Sequence, residues 1–290
     1  MTTELDNLIA HFEADASLFD PDQLRQRMEV LDELDAHFGE ADGTALMAAS
    51  GPARIVERAT VLRGRLESAN AAIYRSIRDQ IRNGLPPSEL LRWVKLCGDQ
   101  QNAPAPGLGY DYLDELISGV LQLREPYNAP QPEPEMVFYQ PTPARHIFQM
   151  IQISGLSGSD TLIDLGSGLG HVPILAAILT GAHSIGIEIE PAYVASARDC
   201  TCNLGLDRVT FIRQCAGDAD LSTGTVFYLY TPFTGNTLKM VLRRLQREST
   251  HRAITVCTLG PCTLTLAEKP WLRTNAQPDP NQITVFRANA

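Results

Sequence analysis

The feature that most constrains the fold of this sequence is segment 163–170, IDLGSGLG, where an apolar run ends in an acid and three glycines follow at alternate positions. Thr161 to Leu165 has the character of a buried strand, and His171 to Leu179 has the apolar spacing of a helix. The glycines therefore fall at a strand-to-helix turn, where they permit positive φ and a close approach of backbone to ligand. This arrangement predicts an α/β domain that holds a nucleotide-type cofactor at the turn.

The spacing of the glycines distinguishes two kinds of cofactor. Dinucleotide loops follow the pattern G-x-G-x-x-G and present a helix N-terminus to a pyrophosphate. Here the pattern is D-x-G-x-G-x-G, and the carboxylate of Asp164 would repel a pyrophosphate. S-adenosylmethionine carries an ammonium and a sulfonium group and no phosphate, so it suits an acid at this position.

The segment resembles the first motif of the class I methyltransferase family. The resemblance implies an α/β fold: a seven-stranded Rossmann-like sheet with helices on both faces. It also implies that Asp164 and the backbone of Gly166, Ser167, Gly168 and Gly170 hold the methionyl part of S-adenosylmethionine. A glycine-rich turn in some other α/β protein is the alternative interpretation.

Two further predicted strands carry candidate cofactor residues. His183 to Glu188 ends in an acid 18 residues after Gly170, where a carboxylate can accept both ribose hydroxyls. Ile189 follows it and is placed in the same cofactor-binding set, whereas Glu190 is expected to cap the helix that Pro191 starts. After the strand at residues 209–213, the family resemblance implies that Asp218 binds the adenine amino group; a solvated turn is the alternative.

The fourth predicted strand, residues 225–230, ends at the candidate acceptor site. Class I enzymes that methylate amino groups often carry Asn or Asp, then Pro-Pro, then Tyr or Phe at this position. Only the last two residues of that pattern remain in Tyr230-Thr231-Pro232-Phe233, which argues against transfer to the planar nitrogens of adenine, cytosine or glutamine. We assign these four residues to substrate binding and Tyr230 to orientation of the acceptor, with a core aromatic cluster as the alternative.

A short polar segment, Phe138 to Pro143, precedes a helix that begins at Ala144. Together with the glycine loop and the aromatic fourth strand, it resembles the non-SET histone-lysine methyltransferase family and its bacterial relatives over about residues 136–250. The resemblance implies that Tyr139, Gln140 and Thr142 contact cofactor or substrate; a capping turn is the alternative. His146 and His171 are the candidate general bases, if the acceptor must lose a proton.

The net charge of −10 lies entirely in residues 1–50, which hold 12 acids and 2 bases, while residues 51–290 hold 22 of each. The lack of a basic surplus argues against a nucleic-acid substrate. The acidic segment either attracts a basic partner or is a solvated helix face. No apolar run reaches the roughly 18 residues of a membrane span, and the start lacks a basic signal region, so a cytoplasmic protein without membrane contact is expected. The six cysteines form no C-x-x-C pair, which predicts no metal site and buried thiols.

Two domains and a linker between them are predicted from the turn-forming residues and the apolar periodicity. Residues 1–125 are helical, including a long helix over 53–82, and are assigned to a lid, substrate or dimerisation role. Residues 126–135 are a proline-rich linker, and residues 136–290 form the methyltransferase domain.

These observations predict an enzyme that transfers a methyl group in line from S-adenosylmethionine to a small molecule. The sequence leaves open whether the protein forms a homodimer. A protein acceptor, such as a lysine side chain, is the alternative within the same class. A non-catalytic cofactor-binding protein with a regulatory or scaffolding role is the alternative from another class.

Overall fold

A computed structural model describes residues 2–38, 50–86, 88–98, 109–126 and 135–288. The chain divides into two compact units, Met1–Gln80 with Ser88–Asn102, and Ile81–Pro87 with Ala103–Ala290. Most of the predicted linker, residues 127–134, lies outside the described residues. The predicted division at residues 125 and 136 therefore stays a prediction.

The first unit is helical, as predicted. Its helices are α1 (Thr2–Ala14), α2 (Leu24–Phe38), the greater part of α3 (Ser50–Arg82) and α4 (Ser88–Gly98). Apolar residues at helical spacing bury one face of each of the first three helices in a shared core, which includes Ile9, Leu34, Leu62 and Leu66. The buried guanidinium of Arg27 is satisfied by the Asn70 amide oxygen at 2.7 Å and by two backbone carbonyls.

The second unit is an α/β domain. After α5 (Tyr112–Leu121) and α6 (Ala144–Ser154), strands and helices alternate along the chain. The order is β1 (Thr161–Leu165), α7 (His171–Thr180), β2 (His183–Glu188), α8 (Pro191–Leu204), β3 (Val209–Arg213), β4 (Val226–Tyr230), α9 (Gly235–Ser249), β5 (Ile254–Leu259), α10 (Cys262–Ala267) and β6 (Thr284–Ala288). The observed β1, β2 and β3 coincide with the predicted strands.

The sheet has the order β3-β2-β1-β4-β5-β6, and only β6 runs antiparallel to its neighbour. The central strands are apolar on both faces because helices cover both sides; Ile163, Phe227 and Val256 pack in one core with the apolar face of α9. The order of the strands reverses between β1 and β4. In open α/β sheets, ligands bind in the crevice outside the carboxyl ends of the strands at such a switch point.

The predicted number of seven strands is corrected to six for the described residues. Between β5 and β6 the chain forms α10 and then irregular structure that includes Pro270, Pro278 and Pro280, which cannot donate to a ladder. A single antiparallel bridge joins Arg273 to Arg287 of β6. This bridge is not extended into a seventh strand within the described residues, and the Rossmann-like class is unaffected.

The structure bears on two predictions made from composition, the burial of the cysteines and the lack of a membrane span. Cys200, Cys257 and Cys262 are buried, but Cys202 is exposed and Cys215 is only partly buried; the side chain of Cys97 lies outside the described residues. Among the described residues, no helix has the length and apolar character needed to span a membrane.

Candidate active site

A cavity of about 1110 Å³ opens at the carboxyl ends of β1 and β4. This volume lies above the usual range of roughly 300–1,000 Å³ for a small-molecule pocket, so the cavity has room for more than one small ligand. Most of the predicted site residues line it: Tyr139, Gln140, Thr142, Asp164, Gly166, Ser167, His171, Glu188, Ile189, Tyr230, Thr231, Pro232 and Phe233. The fold thus brings four separate sequence segments to one crevice.

The three glycines of the loop all have positive φ, of 87°, 51° and 89° at Gly166, Gly168 and Gly170. A Cβ on Gly166 would lie 2.1 Å from Cβ of Pro232, and one on Gly168 would lie 2.1 Å from Cε2 of Tyr139. Both neighbours belong to other segments of the site. Glycine is therefore required here by conformation and by close packing within the protein.

The N–H groups of the loop are used within the protein. Gly166 and Ser167 donate to the Ile187 carbonyl at 2.8 and 3.0 Å, and Gly170 donates to the Ser167 carbonyl at 2.8 Å. The N–H of Gly168 donates to Oε2 of Glu188 at 2.8 Å. These four amides are not free donors for an anion, which distinguishes the loop from a phosphate-binding turn.

Glu188 connects β2 to the glycine loop. Besides the bond from Gly168, its Oε1 accepts from the N–H groups of Ile189 at 2.8 Å and Glu190 at 2.9 Å. The three bonds fix the carboxylate at the end of β2. Oε1 accepts two of them, so the acceptor capacity that remains lies on Oε2. As expected, Glu190 caps α8 by accepting from the Ala192 N–H at 3.3 Å.

Asp164 and Ser167 supply buried polar groups to the cavity wall. Asp164 is 3% exposed, and burial followed by the charge of Glu188 raises the pKa of its carboxyl well above the ordinary value. Ser167 is 7% exposed, and within the described residues its buried Oγ has no hydrogen-bond partner. An acid beside a second acid and an unpartnered hydroxyl together favour a ligand that brings positive charge and polar atoms.

Residues 135–142, here called the strap, run from α9 across the cavity to α6. At one end the Glu135 carboxylate accepts from the N–H groups of Asn236 and Thr237 at the start of α9, at 2.9 and 3.0 Å. Met136 forms a bridge with Phe233, and the Val137 N–H donates to the Pro232 carbonyl at 3.2 Å. The strap is therefore joined to the segment that ends β4.

Tyr139 is the residue of the strap that contacts the glycine loop. Its ring packs on Gly168 and lies 4.7 Å from the ring of Tyr193, centroid to centroid. Its hydroxyl is 3.5 Å from Nδ1 of His171, at the limit of a hydrogen bond. Thr142, farther along, has its Oγ1 3.1 Å from the hydroxyl of the buried Tyr228 on β4.

The end of β4 presents the predicted acceptor motif. Tyr230 is half-buried, its hydroxyl has no partner within the described residues, and burial raises its pKa to about 12. Thr231 has a φ of 40°, an unusual value for a β-branched residue, and its Oγ1 donates to the Leu259 carbonyl and accepts from the Cys262 N–H. Phe233 is almost fully buried in the core beneath the cavity.

Three further predicted site residues, His171, His146 and Asp218, differ in where they lie relative to the cavity. His171 lines the cavity, and burial lowers its pKa to about 4, so its imidazole is neutral at pH 7. His146 is buried on α6 and is not among the cavity-lining residues. Asp218 is exposed, at the end of a short 3₁₀ helix, and the cavity wall after β3 is formed by Gln214, Cys215 and Ala216.

Sequence reasoning missed several supporting residues. Asp114 of α5 is half-buried and accepts from the Ala144 N–H at 2.7 Å, which positions the start of α6. The Tyr110 hydroxyl donates to the Pro141 carbonyl of the strap at 2.8 Å. The capping box of Asp111 and Asp114 was visible as D-x-x-D before an apolar run, but Glu135 and Tyr193 carry no local signal.

Part of the chain matches the model of a known protein family. Residues 135–204, about a quarter of the chain, match the family model described as "Histone methylation protein DOT1". The matched span contains the strap, the glycine loop and Glu188. The second unit has a Rossmann-like fold of the methyltransferase type. The predicted resemblance to class I methyltransferases is thereby confirmed.

Solved structures with similarity to this methyltransferase domain include enzymes of several kinds. An RNA methyltransferase from Salinibacter ruber, in complex with S-adenosyl-L-homocysteine, is 28% identical, with 51% of this chain and 92% of that chain covered and a TM-score of 0.42. A precorrin-6y C5,15-methyltransferase from Geobacter metallireducens GS-15 is 17% identical, with 53% and 93% covered and a TM-score of 0.41. No curated protein matches the chain.

Proposed function

We propose that this protein binds S-adenosylmethionine at the end of the sheet and transfers its methyl group to a small molecule. The observation that carries the proposal is the glycine loop, in which the amides of Gly166, Ser167, Gly168 and Gly170 bond within the protein while Asp164 and Ser167 line the cavity. At these four amides a pyrophosphate would find no free donor, and it would meet a buried acid. A cationic nucleoside cofactor meets an acid and an unpartnered hydroxyl, which is the better electrostatic match.

The residues present fit S-adenosylmethionine, which supplies a methyl group on positively charged sulfur when it is bound. Asp164 and Ser167 would hold the charged methionyl end, with Gly166, Gly168 and Gly170 giving the loop its shape. Glu188 would bind the ribose by accepting from a hydroxyl at Oε2, the oxygen with acceptor capacity left. Tyr139, Thr142 and Ile189 would line the cofactor from the strap and β2, and Asp218 stays a proposed adenine contact from outside the cavity wall.

The chain's own contribution to transfer is alignment and exclusion of water. The Tyr230 hydroxyl, buried and without a partner in the described residues, is the group we assign to orientation of the acceptor. Thr231 holds the end of β4 against the β5–α10 turn through two hydrogen bonds, so it fixes the position of Tyr230. Pro232 and Phe233 complete the wall on that side.

His171 and His146 are retained as proposed bases with unequal support. His171 lines the cavity beside the Tyr139 hydroxyl, but a pKa of about 4 makes it a weak proton acceptor at neutral pH. Burial lowers the pKa of His146 as well, and this residue is separated from the cavity wall. The proposed mechanism therefore uses an acceptor that arrives with a lone pair available.

A polypeptide acceptor is the second candidate, and one observation favours it: the family model that matches residues 135–204 is one of histone methylation. A protein that binds the cofactor without transfer is the third, because the acceptor motif keeps only Pro232 and Phe233 of the amino-group pattern.

Calorimetry with S-adenosylmethionine and with NAD tests the cofactor directly. We expect S-adenosylmethionine to bind and NAD not to bind; the reverse result would refute the proposal. Incubation of the protein with cell-extract fractions, divided into small molecules and proteins, then tests the acceptor. Release of S-adenosylhomocysteine with the small-molecule fraction alone is expected, release with the protein fraction alone favours the second candidate, and binding without release favours the third.

A further inference from the structure

The mouth of the cavity combines an exposed aromatic side chain with an excess of acids. Phe138 is 76% exposed, a high value for a large apolar side chain, and Val137 and Ile189 beside the same cavity are also exposed. Phe138 cannot easily be buried by a movement of the strap, because Val137 is bonded to the Pro232 carbonyl and Tyr139 is packed on Gly168. The strap therefore holds an apolar ring in solvent at the entrance.

Four carboxylates line the cavity, Glu125, Asp164, Glu188 and Glu190, against one guanidinium, Arg213, a formal excess of three negative charges. S-adenosylmethionine, with two cationic groups and one carboxylate, would neutralise one of them. The excess that remains needs a second source of positive charge.

Three of these acids line the cavity together with the ring of Tyr193. Glu125, Glu188 and Glu190 all raise the pKa of Tyr193 through their charges, after the larger effect of burial. Tyr193 packs against Tyr139, which is the chain neighbour of Phe138. The acids and the exposed ring are thus connected through a pair of tyrosines, whose faces attract cations.

We propose that the methyl acceptor is a small organic cation with an adjoining apolar group, bound with its charge toward Glu125 and Glu190 and its apolar part against Phe138. The atom that is methylated is a separate neutral nucleophile of the same molecule, with a lone pair available for attack. This inference rests on the proposed function and names the acceptor class for the same cavity. A small molecule is favoured over a folded protein because stable protein interfaces need roughly 800 Å² from each partner. The apolar surface at the mouth is limited to a few side chains of the strap and β2.

The test uses calorimetry of the full chain saturated with S-adenosylhomocysteine, with three probes that share a phenylethyl skeleton: 2-phenylethylamine, 2-phenylethanol and phenylacetate. We expect the amine to bind about tenfold more tightly than the alcohol and the acid to bind most weakly. Phe138→Ala should weaken binding of the amine and the alcohol alike by roughly fivefold. Glu125→Gln should weaken only the amine.

Leu264→Ala is the matched control, since Leu264 is half-exposed on α10 and does not line the cavity; it should leave all three affinities unchanged. Equal affinities for the three probes, no measurable binding, or insensitivity to Phe138→Ala would overturn the inference. Tighter binding of a lysine-containing peptide than of 2-phenylethylamine would assign the mouth to polypeptides and overturn it too. If S-adenosylhomocysteine itself fails to bind, the proposed function falls and the inference falls with it.

Discussion

Substitution of Gly168 by alanine should cost far more stability than substitution of a glycine with the same backbone conformation elsewhere in the domain. Gly168 and Gly181 both have positive φ, 51° and 72°, so alanine at either position costs about 1–2 kcal/mol in backbone strain. A Cβ at Gly181 meets nothing within 4 Å, whereas one at Gly168 lies 2.1 Å from the Tyr139 ring. Overpacking adds roughly 1–3 kcal/mol, so Gly168→Ala should cost about 2–5 kcal/mol in total.

The measurement is urea unfolding followed by tryptophan fluorescence in a Trp93→Phe background. The chain has two tryptophans, and Trp271, the one that remains, packs against the core of the methyltransferase domain. The signal then reports the second unit by itself. Gly168→Ala should lower the free energy of unfolding clearly more than Gly181→Ala does.

A double-mutant cycle tests the cause of the difference. If the Tyr139 ring is what the new methyl group meets, Gly168→Ala in a Tyr139→Ala background should cost only about as much as Gly181→Ala. Equal costs for the two glycines in the original background, or no relief from Tyr139→Ala, would refute the packing of Tyr139 on the loop.

Three further variants test the polar groups. Burial and the charge of Glu188 raise the pKa of Asp164, so the ionised carboxyl destabilises the ligand-free fold as pH rises above the ordinary pKa of 3.8. Asp164→Asn should therefore increase stability at pH 7 while it weakens S-adenosylmethionine binding by about 1–3 kcal/mol. A loss of stability would contradict this account. Glu188→Ala leaves three N–H groups without their acceptor, so denaturation and calorimetry should show lower stability and weaker binding together; an unchanged affinity would mean that Glu188 only shapes the loop. Tyr230→Phe removes a hydroxyl without a partner in the described residues, so stability and cofactor affinity should stay unchanged. The rate of S-adenosylhomocysteine release should fall about tenfold or more. An unchanged rate would show that Tyr230 does not orient the acceptor.

The parts of the fold that sequence predicts well are those where local pattern and burial agree. β1, β2 and β3 are apolar runs bounded by turn residues, and their predicted limits hold because a parallel sheet buries both faces of such runs. The number of strands was mispredicted, because seven came from the family resemblance, whereas the segment between β5 and β6 forms one bridge at Arg273 and no further strand in the described residues.

The site shows the same division. Asp164, Glu188 and Tyr230 were found because they stand at strand ends, where open sheets present side chains to ligands. The partners of the loop glycines were not predictable, because Pro232 and Tyr139 reach them through tertiary packing. Cys215 and Gln214 occupy the wall after β3, whereas Asp218 at the end of the 3₁₀ helix is exposed, and residue spacing does not reveal this difference.

The attachment of Glu135 to the start of α9 spans 101 residues of sequence. Closing a loop of that length is entropically costly, and the contacts that compensate exist only after β1, β2 and β4 have paired. The strap is therefore expected to order last during folding and to detach first in local opening. Because Phe138 and Tyr139 belong to it, the same local equilibrium that limits its hydrogen-exchange protection would also set how often the cavity mouth opens to exchange ligands.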